Sequence, residues 1–353
     1  MKNYANIFVL LIAVAISACS SSTVTNDFGY ESVMPYYEVP IEFKDSAKYA
    51  EKIEAFKPHL SNKKFFIDPG HGGEDRHNST RNKQVVEADI NLAVAHHLAN
   101  YLKSCGAEVK FSRSVDSTVS LDERSRLANE YLCDLFISIH HNATGQKNNY
   151  WTNFTSSFYH AFETDYGFEP ANRIAARYIQ RDMAYAMRNS GGLGSWDGTY
   201  SDYSIYPGMG FAVLREARTA AVLTEGGFFT NRLEEQRLGI DEFNKIEAWG
   251  IFNGIGKYFS NGIPTIELLQ DESIYTDGIL SLVFELKDES EIDASSITTF
   301  IDSLKIEHNY AAEENRIYLS LPDIAKGEHD FRVICANKNG NYSHPYHRKI
   351  IIK

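Results

Sequence analysis

Between residues 63 and 259, short apolar runs alternate with stretches whose apolar residues recur at helical spacing, and this alternation admits few folds. Runs at 63–67, 108–111, 135–139, 211–214 and 221–224 read as strands. Between them, 85–104 carries Ile90, Val94, Leu98, Tyr101 and Leu102 on one helical face, and 121–132, 171–188 and 243–258 also read as helices. Gly106 stands where a helix of this kind ends. Strands separated by helices pair in parallel and bury both faces, so the expected class is α/β, a mostly parallel sheet flanked by helices. Beyond Pro264 the pattern changes. Only strand-like runs follow, at 280–286, 317–321, 330–336 and 349–352, separated by turn residues, which predicts a C-terminal all-β sandwich over 264–353.

The N-terminus has its own logic. Lys2 precedes an apolar run, 7–16, that is too short to span a bilayer but suits a secretory signal. The following Ile16-Ser17-Ala18-Cys19 resembles a bacterial lipobox. That resemblance implies a signal peptide over 1–19, a lipidated Cys19, and, since Ser20 is not acidic, an outer-membrane anchor with the protein facing the periplasm. Residues 20–62 read as a tether with a short helix at 46–56. A formal charge of −12, with 47 acidic against 35 basic residues and no basic run, makes nucleic acid a poor partner. With Cys19 set aside, Cys105, Cys133 and Cys335 are odd in number, which excludes a full disulfide framework and favours buried thiols.

Three strand-like runs lead straight into polar residues: Phe65-Phe66-Ile67-Asp68-Pro69-Gly70-His71-Gly72-Gly73, Leu135-Phe136-Ile137-Ser138-Ile139-His140-His141-Asn142, and Ala221-Val222-Leu223-Thr224-Glu225-Gly226-Gly227-Phe228. Open α/β sheets bind ligands beyond the carboxyl ends of their strands, so these three edges should converge. Hydrolytic zinc takes three ligands from His and Asp/Glu and keeps one position open. Glu87, in the first turn of the helix after the first edge, is well placed to complete the set, because an anion is favoured there. Gly70, Gly72 and Gly73 let the backbone turn beside an ion. The bland alternatives are structural histidines, a solvated carboxylate at Glu87 and a salt-bridge partner at Glu225.

These pieces, together with Arg113, Asp116, Leu121, Arg124, Ala128-Asn129, Ala143, Val213-Leu214-Arg215 and Asn231, resemble in order and spacing the zinc-dependent N-acetylmuramoyl-L-alanine amidases of the type-3 amidase family over residues 63–259. The resemblance implies His71, Glu87 and His140 as ligands of one Zn2+ ion and Glu225 as general base toward a zinc-activated water. The implied substrate is peptidoglycan, cut between N-acetylmuramic acid and L-alanine of the stem peptide during wall remodelling or daughter-cell separation. Two other readings stay open: a non-catalytic peptidoglycan-binding lipoprotein, and a zinc hydrolase of another stem-peptide amide. His141, on the face of its strand opposite His140, is expected to pack or to support a ligand. Arg215 is read as a structural ion pair or a substrate contact, Asn142 and Asn231 as loop-fixing, and His77, His96 and His97 as weaker candidates. The stretch 144–170 is long and holds Tyr150, Trp151, Phe154, Phe158 and Tyr159, which suggests a lid or a groove wall. Residues 327–333 and the following Asn337-Lys338-Asn339-Gly340-Asn341 are similar to the late strands of bacterial immunoglobulin-like domains. A protein activator, or a cell-envelope partner of that domain, stays open.

Overall fold

The computed structural model describes residues 24–25, 31–32, 35–80, 84–146, 148–192 and 197–352, which fall in two compact units, 1–36 and 37–353. In the first unit, Val24–Thr25 pairs antiparallel with Glu31–Ser32. The apolar run 7–16 and Cys19 lie outside the described residues. No helix among the described residues is long and apolar enough to cross a membrane.

The second unit is built around a six-stranded sheet of β1 (Lys64–Pro69), β2 (Glu108–Phe111), β3 (Leu135–Asn142), β4 (Ser156–Tyr159), β5 (Thr199–Ser201) and β6 (Ala221–Phe228), in the order β2-β1-β3-β6-β4-β5. β2, β1, β3 and β6 run parallel, and β4 reverses against β6. Successive side chains on a strand point to opposite faces. Phe65, Ile67, Leu135, Ile137 and Ile139 accordingly enter the larger core, while Phe66 and Phe136 enter a smaller one on the other face. Helices α3 (Glu87–Ser104), α5 (Pro170–Met187) and α8 (Asp241–Ser260) contribute to the larger core, and α4 (Leu121–Tyr131) and α6 (Ala212–Arg215) to the smaller.

One local expectation changes. Residues 211–214 do not form a strand but lead into α6, with the adjacent Val213 and Leu214 both buried, as on a helical turn and not in the alternation of a strand. In the middle of the 144–170 stretch, β4 joins the sheet. The short helix expected at 46–56 forms as α2 (Ser46–Leu60), preceded by α1 (Ile41–Lys44), and α2 is capped by Asp45 accepting from Ala47 and Lys48. Ile53, Phe56 and Leu60 give it a buried face, and Phe56 meets Phe252 of α8 edge-on at 5.5 Å. The three cysteines are buried and unbridged.

From Thr265 to Ile352 two antiparallel sheets share one core built on Phe284, Ile317, Phe331 and Val333. This sandwich is bolted to the α/β layer by asparagines. Asn341 donates to the carbonyls of Tyr258 (2.8 Å) and Gly262 (2.7 Å), and Asn337 and Asn339 each donate to that of Asn261 (2.9 Å). Tyr258 belongs to the last turn of α8, and Asn261 and Gly262 directly follow it. Arg332 adds bonds to the Tyr166 and Phe168 carbonyls.

α5 and α8 approach closely because Gly250 and Gly254 face the α5 backbone at Met183 and Ile179. Gly254→Ala would press a methyl into that backbone. It is expected to lower the unfolding free energy by about 1–3 kcal/mol, seen as a lower urea midpoint at unchanged slope; an unchanged midpoint would contradict the packing described.

Candidate functional site

The carboxyl ends of β1, β3 and β6 deliver the predicted residues to one place. β1 ends at Pro69, and the chain then turns through three left-handed residues, His71 (φ 59°), Gly72 (φ 115°) and Gly73 (φ 61°). A left-handed non-glycine residue stores strain that its surroundings must hold. Two arginines do so: Arg113 donates to the carbonyls of Pro69, Gly70 and Ala88, and Arg124 to those of Pro69 and His71. Arg124 also pairs at 2.6 Å with buried Asp68, which Ser112 and Ser138 further satisfy. Gly70 has no alternative at its position, because a Cβ there would occupy the space of the His140 ring.

Glu87, the first residue of α3, is buried and faces both imidazoles, with Oε2 3.3 Å from His71 Nε2 and Oε1 3.1 Å from His140 Nδ1. The two rings stand nearly perpendicular, centroids 4.9 Å apart. One donor atom from each of the three residues can be chosen so that all lie within 4.8 Å of one another. Ligands at ~2.0–2.1 Å from a tetrahedral zinc lie ~3.4 Å apart, so the spacing and the donor set both suit such an ion. Asp75 accepts from His71 Nδ1 at 2.7 Å, which leaves Nε2 directed at Glu87 and the shared centre. Asn78 donates to Glu87 Oε2 at 2.8 Å. Neither Asp75 nor Asn78 was singled out in the sequence; the only signal was their place just after the glycine turn.

Burial works against a charged imidazole, but Glu87 and then Asp75 outweigh it and push His71 up to about 9. Burial also opposes charge on Glu87, yet its bonds to His140 and His71 hold it well below the usual carboxylate range. Glu225 pairs in register with His140 across β3 and β6, so their side chains share a face. Its Oε2 is buried and has no hydrogen-bond partner among the described residues. Enclosure, then the charges of Glu87 and Glu247, push this carboxyl well above its usual range. A carboxyl of that kind, beside three convergent donors but bonded to none of them, is poised to exchange a proton.

The remaining candidates separate. His141 is buried on the opposite face of β3, between Asn91 and Glu247, and its backbone N–H donates to Glu87. Asn142 accepts from the N–H of Ala143, and Asn231 caps α7 (Arg232–Leu238) through Leu233 and Glu234. Arg215 is not brought to the site: α6 precedes the amino end of β6, opposite the edge where His71, Glu87 and His140 gather, and Arg215 bonds Glu216 and the Met209 carbonyl. Of the weaker histidines, His96 bonds the Ser114 carbonyl and His97 bonds Asp241.

A family model described as N-acetylmuramoyl-L-alanine amidase (Amidase_3) matches residues 65–257. The chain is 32% identical over 213 residues to YqiI of Bacillus subtilis strain 168, covering 60% of this chain and 89% of that one. It is 33% identical over 202 residues to the N-acetylmuramoyl-L-alanine amidase CwlM of Bacillus licheniformis, covering 56% and 69%. A crystal structure of an N-acetylmuramoyl-L-alanine amidase from Clostridium difficile 630 is similar at 30% identity and a TM-score of 0.49, covering 57% of this chain and 98% of that one. The C-terminal sandwich lies outside the residues matched by the family model.

Two outcomes are expected of metal titrations. Asp75→Ala should weaken zinc binding by about 10–100-fold by freeing the His71 ring. A proton on His71 must leave before a metal binds, so zinc affinity should rise with pH from neutral to about 9 and fall on acidification; a pH-independent affinity would contradict this.

Proposed function

The chain belongs to the N-acetylmuramoyl-L-alanine amidase family, and on that premise we propose that it hydrolyses the amide between N-acetylmuramic acid and L-alanine of peptidoglycan, with zinc as cofactor and Glu225 as general base. One observation carries this reading: His71, Glu87 and His140 converge, and a second buried carboxyl, that of Glu225, stands beside them outside the set. When bound, zinc supplies a Lewis acid that polarises a carbonyl and acidifies water. Glu225 takes a proton from the attacking water and returns it to the leaving amine nitrogen, which requires a group that is not itself a ligand. Its raised proton affinity suits both halves of that exchange. Arg113 and Arg124 hold the His71 turn, and Asp75 fixes which nitrogen of its ring faces the ion.

The aromatic stretch supports a groove wall beside the site. Exposed Trp151 follows Tyr150, over whose ring the Arg232 guanidinium lies at 5.2 Å, and Phe154 packs on Phe228 at the end of β6. Such faces suit sugar rings and the peptide attached to them. The lipobox-like Ile16–Cys19 supports anchoring by a lipidated Cys19, which would hold the enzyme outside the cytoplasm and close to its polymer.

Glu225→Gln tests the mechanism. Bound zinc should be retained and release of stem peptide from purified sacculi should fall by about 100-fold or more. Mass analysis of the wild-type products should find a free L-alanine amino terminus; an intact muramoyl–alanine bond in every product, or full activity in the variant, would refute the proposal.

A further inference from the structure

Behind the edge where His71, Glu87 and His140 gather lies a buried polar chain, of which the proposed mechanism uses only the charge that Glu247 sets near Glu225. His141 and Glu247 have fully buried side chains and meet with Nε2 and Oε2 2.9 Å apart, although they are 106 residues apart in sequence. On its other side His141 Nδ1 lies 2.8 Å from Asn91 Oδ1. The Asn91 amide nitrogen donates to the Gly70 carbonyl at 3.1 Å and approaches Glu87 Oε1 at 3.5 Å. Two acceptors on the nitrogen fix the amide orientation, and with it the proton on His141 Nδ1. The peptide N–H of His141 itself donates to Glu87 Oε1 at 3.1 Å.

Stability does not account for this pair. A buried ion pair is typically no better than apolar residues of the same volume, and Glu247 sits on α8 among Phe243, Ile246, Ile251 and Phe252. Its second oxygen has no partner among the described residues. That oxygen occupies the space where residue 226 would carry a Cβ, directly after Glu225. Glu247 thus reaches both sides of the site: through His141 it fixes the peptide that follows His140 and the chain that holds Glu87, and by direct contact it abuts the backbone of Gly226.

We propose that Glu247 and His141 are positioning residues that hold the Glu87 ligand and the adjacent β3 and β6 backbones in place for the metal. This rests on the zinc reading above. Breaking the pair should loosen the ligand set while leaving substrate contacts intact, so kcat should fall with little change in KM.

The test compares wild type, Glu247→Gln, and the apolar double variant His141→Phe/Glu247→Leu, which removes both charges and is expected to keep the fold. Thermal unfolding reports stability, a chromogenic chelator reports the rate of zinc loss, and the visible spectrum of the Co2+-loaded protein reports ligand geometry. The expected result is a stable double variant that loses zinc about 10–100-fold faster, shows a shifted Co2+ band and has a kcat at least tenfold lower at similar KM. Glu247→Gln, which keeps the shape and one hydrogen bond, should lie between it and wild type. A double variant with the zinc retention, spectrum and kcat of wild type would overturn the proposal while leaving the amidase reading standing. A wild-type protein that takes up no ion would instead overturn the amidase reading, and this one with it.

Discussion

Glu87 brings a negative charge into the interior, and a buried charge is tolerated only when it is paired and hydrogen-bonded. Here the pairing comes from three elements at once: His71 from the turn after β1, His140 and the His141 peptide from β3, and Asn78 and Asn91 from either side of the start of α3. Each partner sits where its element ends or begins, so the carboxylate ties the strand edges to the helix that follows them. An arrangement that gathers two imidazoles around one carboxylate also answers what a divalent ion needs.

A second layer holds the first. Arg113 and Arg124 consume the carbonyls of the His71 turn, and Asp68, buried under Arg124, anchors them to β1. On the other face, α8 supplies Glu247, and the asparagines of the C-terminal sandwich satisfy the end of that same helix. The strand edge that carries His140, the helix and the sandwich are therefore joined by hydrogen bonds that run through α8.

Much of the α/β layer could be read from the chain because its signals are local. Apolar runs on β1, β3 and β6 end at polar residues, and helical spacing marks α3, α5 and α8. The convergence of His71, Glu87 and His140 followed from the rule that strand ends face one side. Other features escaped because they depend on tertiary context. Four apolar residues at 211–214 fit a strand or a helical turn equally, and only packing decides. Arg215 sits in a matched piece of sequence, but its helix leads into the amino end of β6, away from His71, Glu87 and His140. Asp75, Asn78 and Asn91 carry no motif of their own; what they do depends on which nitrogen or oxygen they meet. Glu247 is the extreme case, since a lone acidic residue in a helix gives no hint that its partner lies on β3.

Whether His71, Glu87 and His140 hold an ion is the most direct point of measurement. X-ray absorption at the zinc K-edge of the purified, metal-loaded protein should show a shell of nitrogen and oxygen atoms at ~2.0–2.1 Å with the outer scattering of imidazole. Sulfur at ~2.3 Å, a shell without imidazole, or a protein that takes up no zinc would contradict the gathering of His71, Glu87 and His140 around an ion.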